Sequence, residues 1–523
     1  MRVTKLQHLL VLFAAALTAI AIAGPAAAQV KAQAAVPAAP VVLYTDIVSG
    51  PNSGGENDQG AYLSIFGRNF GHAGLGRAVK VYIGGAEVAS YRYLGPSKGL
   101  PDIEQISVQI GRVGNPRAGI PLPIKVTVNG VASNTDQTFT VNPGRILFID
   151  NVHGSDNRGK PGDIHRPFRH VQTPDLSWGA WGEARPGDIM VMRGTGRPWT
   201  DVGFEHYFMR YRDKSGTAPS GRKGTGPIVL MGYPGEDVYI RGTLAGDMGG
   251  GCISAINGLT FQGIGQWAVI ADLRIDCEGY DGPISEEIHG NHWRVINNDL
   301  AASTAPTSGP NVPRMAGITG NGYDSVWLGN HIHDIQGSPQ ESHGIYVDGD
   351  GTFDIGYNLI EDIRSGNGFQ TYSNGDNGSD TISHIRFHHN IIRRVSKHGI
   401  NIADGSKDGF VIYDNVVSDT ACSGIRFNTR DLSGAQIYDN SFSNTDTSHN
   451  EHCAAVSNDW NLPPHAVTLR DNTFRAAAGT AYLAGEVGFG DSMVDASGNR
   501  FSGGSGPVLG KPAAAPSPPA ASR

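Results

Sequence analysis

Residues 385–392 read Ile-Arg-Phe-His-His-Asn-Ile-Ile, residues 410–417 read Phe-Val-Ile-Tyr-Asp-Asn-Val-Val, and residues 435–442 read Ala-Gln-Ile-Tyr-Asp-Asn-Ser-Phe. Each block leads with apolar residues at alternate positions. An asparagine and a second short run follow. Period-two alternation marks a strand with one buried face. The asparagine slot recurs at Asn298, Asn330, Asn358, Asn390, Asn415, Asn440, Asn472 and Asn499, with gaps of 32, 28, 32, 25, 25, 32 and 27 residues. Positions five and three before it stay mostly apolar, as in Trp293/Val295, Phe353/Ile355 and Val467/Leu469.

No single block buries its apolar face alone. Stacked at a β spacing of about 4.8 Å, the blocks enclose one continuous core. The asparagine column then hydrogen-bonds along the axis and is structural, without chemistry. Unequal gaps mark loops inserted at 301–316, 336–342 and 374–380. A solenoid of helix pairs has a similar period. The two-residue alternation, the Gly and Asn punctuation and the scarcity of helix-forming runs argue against it. The expected fold is all-β, with a parallel β-helix over 146–505.

Composition agrees. Glycine is abundant, at 72 of 523 residues, without the Gly-x-y period of collagen. Arg2 and Lys5, the apolar run Leu9 to Ala23, the break at Gly24-Pro25 and the small residues Ala26-Ala27-Ala28 form a signal-peptide pattern over 1–28. The run is short for a membrane span, an uncleaved anchor being the alternative. No later segment is apolar enough to cross, so no membrane span is expected after signal removal. Losing Arg2 and Lys5 takes the formal charge from −8 to −10. A mildly acidic exported chain is a poor nucleic-acid binder. A secreted or periplasmic bacterial protein, acting as a monomer, is the expectation. Cys252 and Cys277 lie 25 residues apart, and Cys422 and Cys453 lie 31 apart. Both separations equal one repeat, so disulfides between neighbouring coils are expected, against the alternative of four buried thiols.

Residues 29–40 read as an Ala/Pro/Val linker and 506–523 as a Pro/Ala/Ser tail. Between 41 and 142, short runs such as Tyr62–Phe66, Val79–Ile83 and Ile124–Val128 alternate with Gly-rich turns, as in a small β-sandwich. Ser49-Gly50-Pro51-Asn52-Ser53-Gly54-Gly55, Ile65-Phe66-Gly67-Arg68-Asn69-Phe70-Gly71 and Val81-Tyr82-Ile83-Gly84-Gly85 resemble the IPT/TIG-type immunoglobulin-like domain. That resemblance implies a spacer or carbohydrate-side accessory module.

Further on stand Ile146-Leu147-Phe148-Ile149-Asp150, Gly154-Ser155-Asp156, Arg185-Pro186-Gly187-Asp188, Gly226-Pro227-Ile228-Val229-Leu230 and Gly232-Tyr233-Pro234-Gly235-Glu236. This succession resembles the opening coils of pectate-lyase-like right-handed parallel β-helix proteins, including chondroitinase-B-type and alginate-lyase-type enzymes. The lyase subfamily motif with its Lys and Arg-His-Gly is not found. Nor is the polygalacturonase set of Asn-Thr-Asp, Asp-Asp, Gly-His-Gly and Arg-Ile-Lys. The resemblance therefore speaks to fold more than to activity.

A second strand recurs in each coil after a glycine: Gly317, Gly344, Gly368, Gly399 and Gly424. Its outward positions form two columns, Thr319, Tyr346, Gln370, Asn401, Arg426 and Asn321, Asp348, Tyr372, Ala403, Asn428. His343 and Lys397-His398 precede the glycines. Aromatic faces stack on sugar rings, and amides and carboxylates bond hydroxyls, so this face suits a sugar groove rather than a merely solvated surface. β-Elimination from a uronate needs a carboxylate neutraliser, a base and a proton donor. Arg426, Gln370 and Asn401 are candidates to hold the carboxylate. Tyr346, His398, His343 and Lys397 are candidate bases or acids, with Tyr346 and His398 leading. Tyr372, Asn428 and Asp404 complete the expected binding set.

Asp348 and Asp350 are oxygen ligands of the kind Ca²⁺ takes, although Asp348-Gly349-Asp350-Gly351 also reads as an ordinary turn. No cofactor other than Ca²⁺ is indicated. Asp350 and Asp404 form the paired carboxylates of the hydrolase alternative, about 9.6 Å apart if two coils separate them. A non-catalytic glycan-binding or adhesion protein is the third reading. Arg393-Arg394 with Glu361-Asp362 and Ser418-Asp419 read as cross-coil pairs. His331 and His333 show no Cys or carboxylate partner at a telling spacing, so no zinc site is expected there. The partner expected throughout is an acidic polysaccharide.

Overall fold

A computed structural model describes residues 38–508, apart from 72–78, 116–117, 177, 212–220, 223, 244–250, 255–265, 287–289, 309–311, 313–315, 339–340, 350, 374–381, 430–431, 459–465, 485–492 and 507. The signal-peptide reading of 1–28, most of the 29–40 linker and nearly all of the 506–523 tail fall outside the described residues.

From Ile146 on, the chain winds through three parallel sheets of 12, 10 and 10 strands. Each coil passes through the first, second and third sheet in turn, as in Ile228–Gly232, Tyr239–Gly242 and Gly251–Ser254. Each strand then pairs in parallel with its counterpart one coil on, for example Ile385 with Phe353 and Ile392 with Val417. The alternating apolar residues point inward. Ile345, Val347, Phe369, Ile400, Ile402, Ile425 and Phe427 all lie in the enclosed core. The architecture is a parallel β-helix carrying a small N-terminal β domain, and helical structure is nearly absent among the described residues.

All eight repeat asparagines form the expected ladder at the corner between the first and second sheets. The backbone N–H of Asn298 donates to Asn330 Oδ1 at 3.0 Å, and the same bond recurs at 2.9–3.0 Å through Asn358, Asn390, Asn415, Asn440 and Asn472 to Asn499. Each corner amide is thereby paired although it belongs to no strand ladder. Disulfides join Cys252 to Cys277 and Cys422 to Cys453, with Cα separations of 5.9 and 5.0 Å, each linking adjacent coils.

The N-terminal β domain has a sheet containing Val41–Thr45, Tyr62–Arg68, Glu104–Gln109 and Ser90–Pro96 and a second containing Thr138–Val141, Pro121–Val128 and Val79–Ile83. It is not a tethered spacer. Its core residues Tyr62, Phe66 and Phe139 share one apolar cluster with Phe148, Val191, Met231, Val269 and Ile296, on the outer face of the first sheet. A buried polar knot lies in the same seam: Asp272 accepts from Ser64 Oγ at 3.1 Å, Gln105 Nε2 at 3.2 Å and Asn297 Nδ2 at 2.6 Å. Arg294 donates to the carbonyls of Thr45 and Asp46 at 2.6 and 3.0 Å.

Candidate active site

The third sheet carries the glycine-led strands His343–Asp348, Phe369–Tyr372, Ile400–Ala403 and Ile425–Asn428. Their register aligns Thr319, Tyr346, Gln370, Asn401 and Arg426 on successive coils. The column is less solvated than outward-facing positions suggest. Thr319, Gln370 and Asn401 are buried.

A second ladder runs beside this column, and sequence reasoning missed it. His343, Asn367, His398 and Ser423 occupy the slot before successive glycines. Each side chain accepts the backbone N–H of the same slot one coil on. His343 Nδ1 accepts from Asn367 at 3.0 Å, Asn367 Oδ1 from His398 at 3.0 Å, His398 Nδ1 from Ser423 at 3.2 Å, and Ser423 Oγ from Ala454 at 3.3 Å. The glycines permit the close stacking this needs: a Cβ at Gly399 would meet the Gly424 carbonyl at 2.8 Å and collide with Val417. The signal was in the sequence, as the residue preceding each glycine.

The ladder fixes the tautomer. A backbone N–H is always a donor, so Nδ1 of each histidine is the bare nitrogen and Nε2 carries the proton. Burial, reinforced by Lys397, lowers the His343 pKa from 6.5 to about 3. Burial, then Arg426, Lys397 and His343, brings His398 to about 3 as well. Both rings are neutral near pH 7.

Beside the ladder opens a cleft of about 390 Å³ whose lining includes Gln370, Lys397, His398, Asn401 and Arg426. Asn367 and Asn401 both donate to Gln370 Oε1, at 2.7 and 2.5 Å, and leave Asn401 Oδ1 buried without a donor. Arg426 Nη1 lies 3.3 Å from His398 Nε2. Arg426 can only donate, so its approach to Nε2 competes with the ladder bond for the ring's one lone pair. Where the ladder keeps Nδ1, Nε2–H and Arg426 are two donors facing the cleft, and an acceptor beside them is shared by both. Burial, then Arg426, lowers the Lys397 pKa below its usual value. No carboxylate stands among the described lining residues.

The remaining expected residues stand apart. Tyr346 sets its ring edge-on to His343 at 5.3 Å and does not line the cleft. Tyr372 and Asn428 end their strands and Asp404 follows Ile400–Ala403, all outside the lining. Asp348 is half-buried and outside it too, and Asp350 lies outside the described residues. Of the three loops expected to wall the groove, 374–380 is outside the described residues, and no described residue of 301–316 or 336–342 contributes lining; Ser448 and Asn450 do. Arg393 and Arg394 pair across coils with Glu361 and Asp362 at 2.6 and 2.8 Å, as expected. His331 and His333 have a carboxylate partner that sequence spacing does not show. Asp299, 32 residues upstream of His331, reaches both rings at 3.2 Å because one coil brings them into register.

Residues 316–503 match the family described as right-handed beta helix region. A comparison with curated proteins finds no match. Among solved structures, an alginate lyase from Paenibacillus sp. str. FPU-7 is similar at a TM-score of 0.32 and 15% identity, over 62% of this chain and 94% of that one. A family 28 exopolygalacturonase of Yersinia enterocolitica is similar at 0.33 and 11%, over 91% of this chain and 100% of that one. Neither likeness bears on the chemistry of the cleft. The family match does contain all four strands that build it, so the candidate site stands on a right-handed β-helix region.

Proposed function

We propose that the cleft binds a uronate of an acidic polysaccharide and that the chain is an exported polysaccharide lyase acting by β-elimination. The observation that carries this is the convergence of Lys397, Arg426 and the His398 Nε2–H on one cleft with no carboxylate among its described lining residues. Such a lining selects an anion, and the paired donors suit a planar carboxylate.

Arg426 and His398 hold the sugar carboxylate and so acidify the neighbouring C–H. Lys397, whose charged form is disfavoured by burial and by Arg426, takes that proton on Nζ. The carbon–oxygen bond to the leaving sugar breaks, a carbon–carbon double bond forms, and Lys397 returns the proton to the leaving oxygen. His398 is a donor here and not the base, since Nδ1 is occupied and Nε2 already carries its proton. Tyr346 stands two coils before Asn401, about 9.6 Å at the β spacing. It is too distant to serve the same bond, and its role is to stack on a neighbouring sugar.

Ca²⁺ prefers six to eight oxygen ligands. The described lining offers basic nitrogens and no carboxylate, so Ca²⁺ does not fit it and no step is routed through one. The hydrolase reading needs two carboxylates facing one bond, and the described lining has none.

Ultraviolet absorbance on a panel of polyuronates and bacterial exopolysaccharides tests the reading. A rise, lost in Lys397→Ala, is expected. New reducing ends without absorbance would replace elimination by hydrolysis. Saturable binding of a polyuronate with neither product would leave a glycan-binding protein.

A further inference from the structure

The second sheet holds a cluster that the cleft does not use. Asp299, on Asp299–Ala302, pairs in register with His331 on the next coil's strand His331–Ile335. Asp299 Oδ2 lies 3.2 Å from His331 Nδ1, and Asp299 Oδ1 lies 3.2 Å from His333 Nε2. One ligand atom from each of the three residues falls within 4.8 Å of the other two. Ligands held at about 2.0–2.1 Å around a tetrahedral ion sit roughly 3.3 Å apart, so little movement would admit one.

The outer nitrogens supply a second observation. His331 Nε2 lies 2.9 Å from Glu361 Oε1, and His333 Nδ1 lies 2.9 Å from Asp334 Oδ2. Glu361 is held in turn by Arg393 and Arg394 at 2.6 and 2.7 Å, and Asp334 by Arg364. A neutral imidazole has one N–H. Without an ion both nitrogens of each ring face a carboxylate. An ion beside Asp299 would take the inner nitrogens and leave each ring's single N–H to its outer carboxylate. This is the carboxylate–histidine–metal arrangement, in which outer partners orient the ligands and raise their basicity. The side chains of Asp299, His331 and His333 retain 26%, 21% and 23% exposure, which leaves a path for an ion and room for a water as fourth ligand.

We propose that Asp299, His331 and His333 bind one divalent transition-metal ion, zinc in preference to calcium, through one carboxylate oxygen and two imidazole nitrogens contributed by adjacent coils. Imidazole donors suit zinc, whereas calcium takes oxygen. The site lies on a different sheet from the cleft, and the bound ion ties two coils together.

The test uses untagged full-length protein stripped with a chelator. Zinc titration against a chromophoric competitor, visible absorption of the cobalt-loaded protein and thermal melting are the readouts. One equivalent of zinc, a cobalt band saturating at one equivalent and a melting temperature raised by zinc are expected. His333→Gln and Asp299→Ala should each weaken binding at least about tenfold, and Glu361→Gln roughly 10- to 100-fold. Absence of saturable zinc uptake by the wild type overturns the site, as does uptake undiminished in His331→Ala/His333→Ala. If that double variant does not fold, the wild-type cobalt titration decides alone, and no band at one equivalent overturns the proposal.

Discussion

His398 serves two masters, and its neighbours show how to separate them. Its Nδ1 holds the slot ladder while its Nε2–H faces the cleft. One coil earlier the same slot is filled by Asn367, whose Oδ1 does the ladder's work. His398→Asn should therefore keep the fold, with a melting temperature within a few degrees of wild type, and lose catalysis by about 10²-fold or more in kcat/KM. Lys397→Arg keeps a long basic side chain but removes a group able to take a proton, so kcat should collapse while KM moves little. Acid sensitivity belongs to this scale as well. His343 and His398 are held near 3 when folded against 6.5 when unfolded. The unfolded chain then binds more protons as pH falls from about 6.5 toward 3, and each histidine costs up to about 1.4 kcal/mol per pH unit in that window. Chemical denaturation at pH 7, 6 and 5 should show this slope, reduced in His398→Asn.

The strands and corners were the part most open to sequence reasoning. Period-two alternation predicts which side chains face inward, and Ile345, Phe369, Ile400 and Ile425 all do. The asparagine column was legible because a buried corner amide needs the same partner on every coil. What stayed hidden were contacts made by residues about a coil apart in sequence with no shared pattern. Asp299 with His333 is one such contact, and Ser448 and Asn450 at the cleft are another. Loop lengths vary, so spacing alone does not reveal which loop turns inward. Asn390→Ala should be among the costliest ladder changes. It orphans the Asn358 amide and removes side-chain bonds to the Ile355 carbonyl and Asn415. A loss of about 3 kcal/mol or more in denaturant unfolding is expected. The Cys422–Cys453 link closes 31 residues and borders the cleft through Cys422. Replacing both cysteines by serine should cost about 3 kcal/mol and lower activity together.

At the scale of the whole molecule, the sandwich and the β-helix share one core, so they should melt in a single transition. Deleting residues 1–142 would expose Phe148, Val191, Met231 and Val269, and aggregation rather than an active fragment is expected. The same seam buries Asp46 and Asp272. Burial and their mutual repulsion raise the pKa of Asp46, and burial raises that of Asp272. A raised folded pKa means stability that is present at low pH and lost as pH climbs above about 4. Asp46→Asn removes one of these titrating groups, so its advantage over wild type should grow as pH rises above about 4 in thermal melts.

The asparagine ladder also constrains how such a chain can change length over generations. Each rung bonds the coil before it and the rung after it, and the shortest spacing between rungs is 25 residues. Gain or loss of one whole coil leaves every remaining rung with an equivalent neighbour. A strand lengthened or shortened by a single residue would turn its apolar face outward and miss the rung. Insertions and deletions among descendants of this chain should therefore fall into two kinds: loops of any length, and coils added or removed entire.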